Sequence, residues 1–543
     1  MRRRSRLGGV LVMLGALLSG AAVTSTASAQ DNGSDMSFAP EGQDQNAAPQ
    51  DGQPSEAMAN ALRLYQQERY QESCVQFQRV VENETGDMPA QIQKAQFHLG
   101  KCLYHLRFYQ SALAVFDEIL EHQGGRHLYF ASSLQWLAQL ASRLPEPADI
   151  IRRVGRYSPE QLAQFNNAES RDLYNQLLYL LGRAKYNDGN FEEAVNLFGQ
   201  VQRNSPFYVQ ARFFMGISHV RNHRAQPAID SFTNIQDAIS EGVRGVEDVQ
   251  RMSDLAWLER ARLYYSTQHY DSAVEAWNRV DVDSEYWLDA LFEESWAYYL
   301  QQDYPRALGN IHTLNSPYFS SAFYPESLVL KSVIFFSNCH YDDAETVIAQ
   351  FNERYGDLRP ELQRYLQQYA DNNAFFRFLK DVRSGSASLP NRLRPIVQSA
   401  LSDRTLLRNI EYVGILEAEE ARLRQMPQAF RSSSLGARVL ADITVAKSFA
   451  TDQAGDLARG RYQRLLDELQ DLGNQSTAIL IEILNARRGQ LSAQIAGEQV
   501  RDVNTAAARV VADEEHYLWP FNGEYWRDEL GYYRQQVAPR CGR

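Results

Sequence analysis

The residues best arranged for chemistry are His98, Cys102 and His105, at i, i+4 and i+7, where a helix would point all three in similar directions. Two imidazoles and a thiolate are soft ligands that could hold a zinc ion. The same spacing describes the buried edge of a packed helix, where cysteine behaves as a small hydrophobe and histidine fills space. No fourth ligand or supporting shell is visible, so no metal is assigned. A rival use of Cys102 is a disulfide with Cys74. The other cysteines are Cys339 and Cys541, and four in so long a chain are too sparse to build a disulfide scaffold.

Catalysis needs a convergent set of groups, and no nucleotide-binding glycine loop, zinc-protease motif or nucleophile elbow is present. The many acids scatter over helix faces, as solvation requires. The chain reads as a non-enzyme with no cofactor. The second segment with chemical potential is His516–Tyr533, the densest aromatic stretch of the chain. There Trp519, Phe521, Tyr525 and Trp526 could stack on a cell-wall sugar or anchor a protein. Alternatively the segment folds back as a terminal cap, with Pro520 and Gly523 supplying the turn.

The elements that would position these residues recur. Leu181-Gly182, Gly189, Phe191, Ala194, Phe198 and Val201 are followed about 34 residues later by Met215-Gly216, His223, Ala225, Ala228, Phe232 and Ile235. The same shift carries Trp257, Ala261, Tyr264, Tyr270, Ala273, Trp277 and Val280 onto Leu291, Ser295, Tyr298, Tyr304, Ala307, Ile311 and Leu314. Further units contain Tyr70 to Val80, Leu99 to Ile119, and Ser332 to Phe351. Each reads as two amphipathic helices around a short polar turn such as Asn187-Asp188-Gly189-Asn190.

In these features the sequence resembles the tetratricopeptide-repeat family. The resemblance implies an all-α fold, an α-solenoid in which small residues at the eighth and twentieth slots let helices approach. A large residue at the twenty-fourth slot then fills the gap beneath the next hairpin. Seven units are recognisable over residues 56–356, and Arg126 to Gln164 hides a divergent eighth. Glu294 and Lys331 depart from the pattern, standing at the seventh slot where the family has leucine. Packing of one repeat on the next would bring Cys74 near Cys102. The resemblance also implies protein binding on the concave face of the first helices, where Asn175, Tyr179, Arg183, Tyr186, Arg212 and His219 would be exposed.

Beyond Gly356 the period fades, and residues 357–514 are expected to form a separate C-terminal helical bundle, followed by the aromatic tail at 515–543. Within that region Arg383 to Pro390 reads as a linker. Leu435 to Leu472 reads as one or two helices, and Gln475 to Glu515 as a long one interrupted at Gly489-Gln490. The tail is similar to the endings of repeat proteins associated with gliding motility in deltaproteobacteria.

The first 29 residues have the arginine-rich start, the apolar stretch and the Ala27-Ser28-Ala29 exit of a secretory signal peptide. No cysteine stands at that site to accept lipid. Residues 30–55, rich in Asp, Gln, Asn, Pro and Gly, read as a disordered tether. The formal charge of −12 includes four arginines of the leader, so the exported chain is more acidic still and a poor match for nucleic acid. No later segment is apolar for long enough to span a bilayer. The expectation is a periplasmic or envelope scaffold whose partners are other envelope proteins, with peptidoglycan as the alternative.

Overall fold

The computed structural model describes residues 53–121, 127–243, 245–246, 248–320, 322–387, 389–390, 393–394, 396–397, 403–495 and 516–541. The expected leader lies outside them, as does all but the end of the tether. Every regular element among the described residues is a helix. Eight helix pairs follow one another from Glu56 to Tyr355, beginning with Glu56–Gln66 and Tyr70–Val81 and ending with Pro325–Ser337 and Tyr341–Tyr355. The fold is thus all-α, of the repeated-hairpin type found in α-solenoids.

Seven of the pairs turn in the same way. In the pair Arg171–Asn187 and Phe191–Gln200, Gly189 is left-handed at φ 79°, its N–H donates to Tyr186 O at 3.1 Å, and Asn190 N–H donates to Lys185 O at 2.8 Å. This double bond to the last helical turn is a Schellman cap. Glu68, Arg107, His223, Gln268, Gln302 and Cys339 hold the same left-handed position with the same two bonds. Only Gly189 adopts it without a Cβ penalty.

In three hairpins a glycine faces an aromatic ring sixteen positions later. A Cβ on Gly100, Gly182 or Gly216 would lie 2.8, 2.6 or 2.7 Å from the ring of Phe116, Phe198 or Phe232. These rings are fully buried, so the glycines permit the close approach that seats them. Ala61 and Phe77, and Ala261 and Trp277, stand at the same spacing and are likewise buried. The expected divergent pair is Phe130–Ala141 with the short Ile150–Val154, separated by a 3-10 turn at Glu146–Ala148.

The chain divides into two compact units, and the division runs along a different line from the boundary expected at Gly356. One unit is the chain to Val249 together with Arg404–Ala454; the other is Gln250–Asp403 together with the chain from Gly455. In the first unit, helix Arg404–Gln425, the short helix Gln428–Arg431 and the start of helix Ser434–Ile495 pack directly on the repeats. Glu419 accepts the free N–H groups of Tyr109 and Gln110 at 3.0 and 3.2 Å, at the start of helix Tyr109–Glu121. Tyr412 Oη donates to Gln110, Arg438 pairs with Glu118 at 2.6 Å, and Phe430 stacks on Phe108.

In the second unit one further pair, Leu358–Gln368 and Asn372–Ser384, follows the repeats, and left-handed Gly385 closes it. A Cβ on Gly455 would overlap the backbone of Asn372, so this glycine is needed for helix contact rather than for a turn. The helices expected to break between Leu472 and Gln475 form one continuous helix, Ser434–Ile495. A single glycine costs a helix only about 1 kcal/mol, and Gly473 and Gly489 sit among strong helix formers. Residues 496–515, expected to extend that helix, lie outside the described residues. No described helix is long and apolar enough to cross a membrane.

Candidate functional site

The six residues expected on an open concave face are largely withdrawn from solvent. Asn175, Tyr179, Arg183 and His219 are buried, and Tyr186 and Arg212 are partly buried. The physical reason is that their polar groups are used internally. Asn175 Nδ2 donates to Arg171 O, and its Oδ1 accepts from Gln202 N at 2.9 Å, so it ties a helix to the loop after the next one. Arg183 lies 3.9 Å from the ring centroid of Phe214, donates to Tyr179 Oη, and pairs with Glu146 at 2.5 Å. Glu146 also accepts from Arg408 at 2.5 Å, so one carboxylate serves two buried guanidiniums. Burial and neighbouring Arg224 hold the His219 imidazole below its usual range. Arg212 lies over the Tyr208 ring at 4.7 Å.

Cys74 and Cys102 are joined as a disulfide, with Cα atoms 5.8 Å apart. His98 stacks on Phe77 and His105 on Tyr70, so both imidazoles work as rings in an aromatic layer around Tyr65. No cluster of three possible metal ligands occurs among the described residues.

In the second unit the C-terminal tail docks on the repeats. Cys541 is bonded to Cys339, itself the left-handed residue of a hairpin turn, with Cα atoms 5.2 Å apart. Beside it Arg540 N–H donates to Asn338 O at 2.9 Å, and Ala538 O lies 2.6 Å from His340 Nε2. Further along, Gln535 N–H donates to Pro305 O, and Gly531 N–H to Thr313 Oγ1, both at 3.0 Å. Gly309 admits the tail, because a Cβ there would overlap the carbonyl oxygen of Tyr533. Leu530 is buried.

The aromatic residues that precede this strap are held but not covered. His312 stacks on Tyr525 at 4.5 Å and meets Phe521 edge-on at 4.6 Å. Trp519 and Trp526 form an edge-to-face pair at 4.9 Å, and Trp519 Nε1 donates to Glu524. Trp519 is 56% exposed and Phe521 53%, whereas Tyr525 is partly buried. The bonds that fasten the tail therefore fall within 531–541, while Tyr517, Trp519, Phe521 and Trp526 present rings to solvent.

A family model described as the tetratricopeptide repeat matches residues 58–126 and 179–242. The chain carries tetratricopeptide repeats. Between and beyond the matched stretches the hairpins continue, through the divergent pair and then from Val249 to Tyr355. Here the seventh slot changes character. It is leucine at Leu99 and Leu181, but Arg260, Glu294 and Lys331 in the three repeats of the second unit. Glu294 is buried and accepts from Asn278, Tyr298 and Asn310 at 2.8 to 3.0 Å; burial still pushes its carboxyl up to about 7. Arg260 lies over Trp257 at 4.3 Å.

Among solved structures the chain is similar to the apo form of RapI at 10% identity and a TM-score of 0.32, covering 64% of this chain and 98% of that one. No curated protein matches. Folding back of the tail was one of the two expectations for the aromatic segment, whereas the Cys339–Cys541 bridge that fastens it was not expected. Its only signal was an even number of cysteines, with one of them almost at the C-terminus.

Proposed function

We propose that this protein is an exported, non-catalytic tetratricopeptide-repeat scaffold that mediates protein–protein interactions in the bacterial cell envelope. The observation that carries this reading is the run of repeated hairpins, a fold whose stacked helices offer surfaces to peptides and partner helices. Export is supported by the leader-like first 29 residues and by the pairing of all four cysteines, since disulfides persist in oxidising compartments. Fractionation of cells expressing the full chain should place it in the periplasmic or envelope fraction, with processing after Ala29. A cytoplasmic chain with free thiols would contradict the export half of the proposal.

A second reading is supported by the exposed rings of the tail: attachment to peptidoglycan through Trp519, Phe521 and Trp526. Sedimentation with purified peptidoglycan should carry the protein down if this holds. Protein that stays in the supernatant contradicts it.

A further inference from the structure

The second unit contains a cavity of about 630 Å³ whose walls include Lys331 and Arg354 from the repeats and Phe521 and Tyr525 from the tail. Lys331 is one of the charged residues standing at a leucine slot. Its ammonium lies 6.0 Å from the Phe335 ring and forms no ion pair with any described residue; Asp343 acts on it only at longer range. Arg354 is held by Asn315 Oδ1 at 3.1 Å and lies over the Tyr355 ring, again with no carboxylate partner among the described residues. Two cations thus face one space, where Glu353 is the one acid among the lining residues. Withdrawing a lysine from water without a partner is costly, and an arriving anion would offset that cost.

The opposite wall is aromatic. Burial and Lys331 push the His312 imidazole down to about 4, so at neutral pH it is an uncharged ring. It sits between Tyr525, parallel to it, and Phe521, at 87° to it. Phe521 keeps about half of its surface free. The volume is that of a small-molecule site, roughly 300–1000 Å³, and suits one or two rings.

We propose that this cavity binds a sugar acid, with its carboxylate between Lys331 and Arg354 and its ring against Phe521. The proposal deepens the glycan reading of the tail and rests on it for the source of the ligand, which must be glycan stripped of its peptide, since in peptidoglycan the muramic carboxyl is otherwise amide-bonded; the scaffold reading is independent of it.

The test is calorimetric titration of the intact, disulfide-bonded chain with N-acetylmuramic acid, glucuronic acid, N-acetylglucosamine and inorganic phosphate. The two sugar acids should bind, with the neutral sugar and phosphate about tenfold weaker or more. Lys331→Gln and Arg354→Gln should each weaken the acids by about tenfold, and the melting temperature of the exposed-site variant Arg354→Gln should be unchanged. The proposal is overturned if neither acid binds, if the neutral sugar or phosphate binds as tightly, or if Arg354→Gln leaves the affinity intact. Sedimentation with peptidoglycan, intact and stripped of its peptides, separates the two readings. Acid binding without sedimentation supports the cavity and removes the wall reading. Sedimentation that survives Arg354→Gln keeps the wall reading and removes the cavity as its site.

Discussion

A Cβ placed on Gly182 would lie 2.6 Å from Cε1 of Phe198, a ring with no exposed surface. The hairpin closes only because one side chain is missing. Gly182→Ala should therefore lower stability, although alanine is the better helix former by about 1 kcal/mol. Overpacking a buried site costs about 1–3 kcal/mol, so a net loss of about 1 kcal/mol is expected in urea unfolding. A gain would show that the approach of the two helices is not limited by this contact.

The hairpin turns give the opposite sign. His223 and Gln268 are exposed, left-handed and not glycine. His223→Gly and Gln268→Gly should each stabilise by about 0.5–1 kcal/mol, because the left-handed penalty of a side chain exceeds the entropy cost of glycine. The check is the same unfolding curve. At Gly189, where a Cβ would meet nothing within 4 Å, Gly189→Ala should destabilise through backbone strain alone.

Glu146 is the shared partner of Arg183 and Arg408, which are 5% and 7% exposed. Glu146→Gln should leave two buried guanidiniums facing each other without a counter-charge. Breaking a fully buried pair costs about 3–5 kcal/mol; with the glutamate side chain 32% exposed, about 2 kcal/mol is expected. A melting temperature equal to that of the parent would contradict the shared-partner role.

Glu326 is one of the buried carboxyls that contribute to the pH dependence. Burial, reinforced by the neighbouring charge of Glu468, pushes its carboxyl up to about 7. The folded state therefore holds a proton that the unfolded chain releases near 4.5, and stability falls as pH rises between those values. Glu326→Gln should stabilise by about 1–3 kcal/mol at pH 8 and change little at pH 4. Equal effects at both pH values would show that the carboxyl is not titrating in this window.

The repeat hairpins were legible because their spacing is set by local geometry. The turn at Gly189, the small residue at Gly182 and the ring at Phe198 each occupy a position that the hairpin itself dictates. What was not legible came from distance. Nothing in slot position says that Arg183 is covered by Phe214 and held by Glu146, so a residue on the expected face proved to be buried. Cys339 and Cys541 are 202 residues apart, and no periodicity pairs them. The expected break between Leu472 and Gln475 and the interruption at Gly489-Gln490 are both absent from helix Ser434–Ile495, because a long run of good helix formers absorbs its glycines. Lys331 stood out as a departure from the repeat, yet only the docked tail shows what it faces.

The scaffold claim is tested most directly by cross-linking the full chain in intact cells and mapping the linked residues by mass spectrometry. The account predicts reproducible cross-links between the repeat hairpins and one other envelope polypeptide, lost when those hairpins are deleted. Cross-links confined to the chain itself, with no second polypeptide recovered, would contradict it.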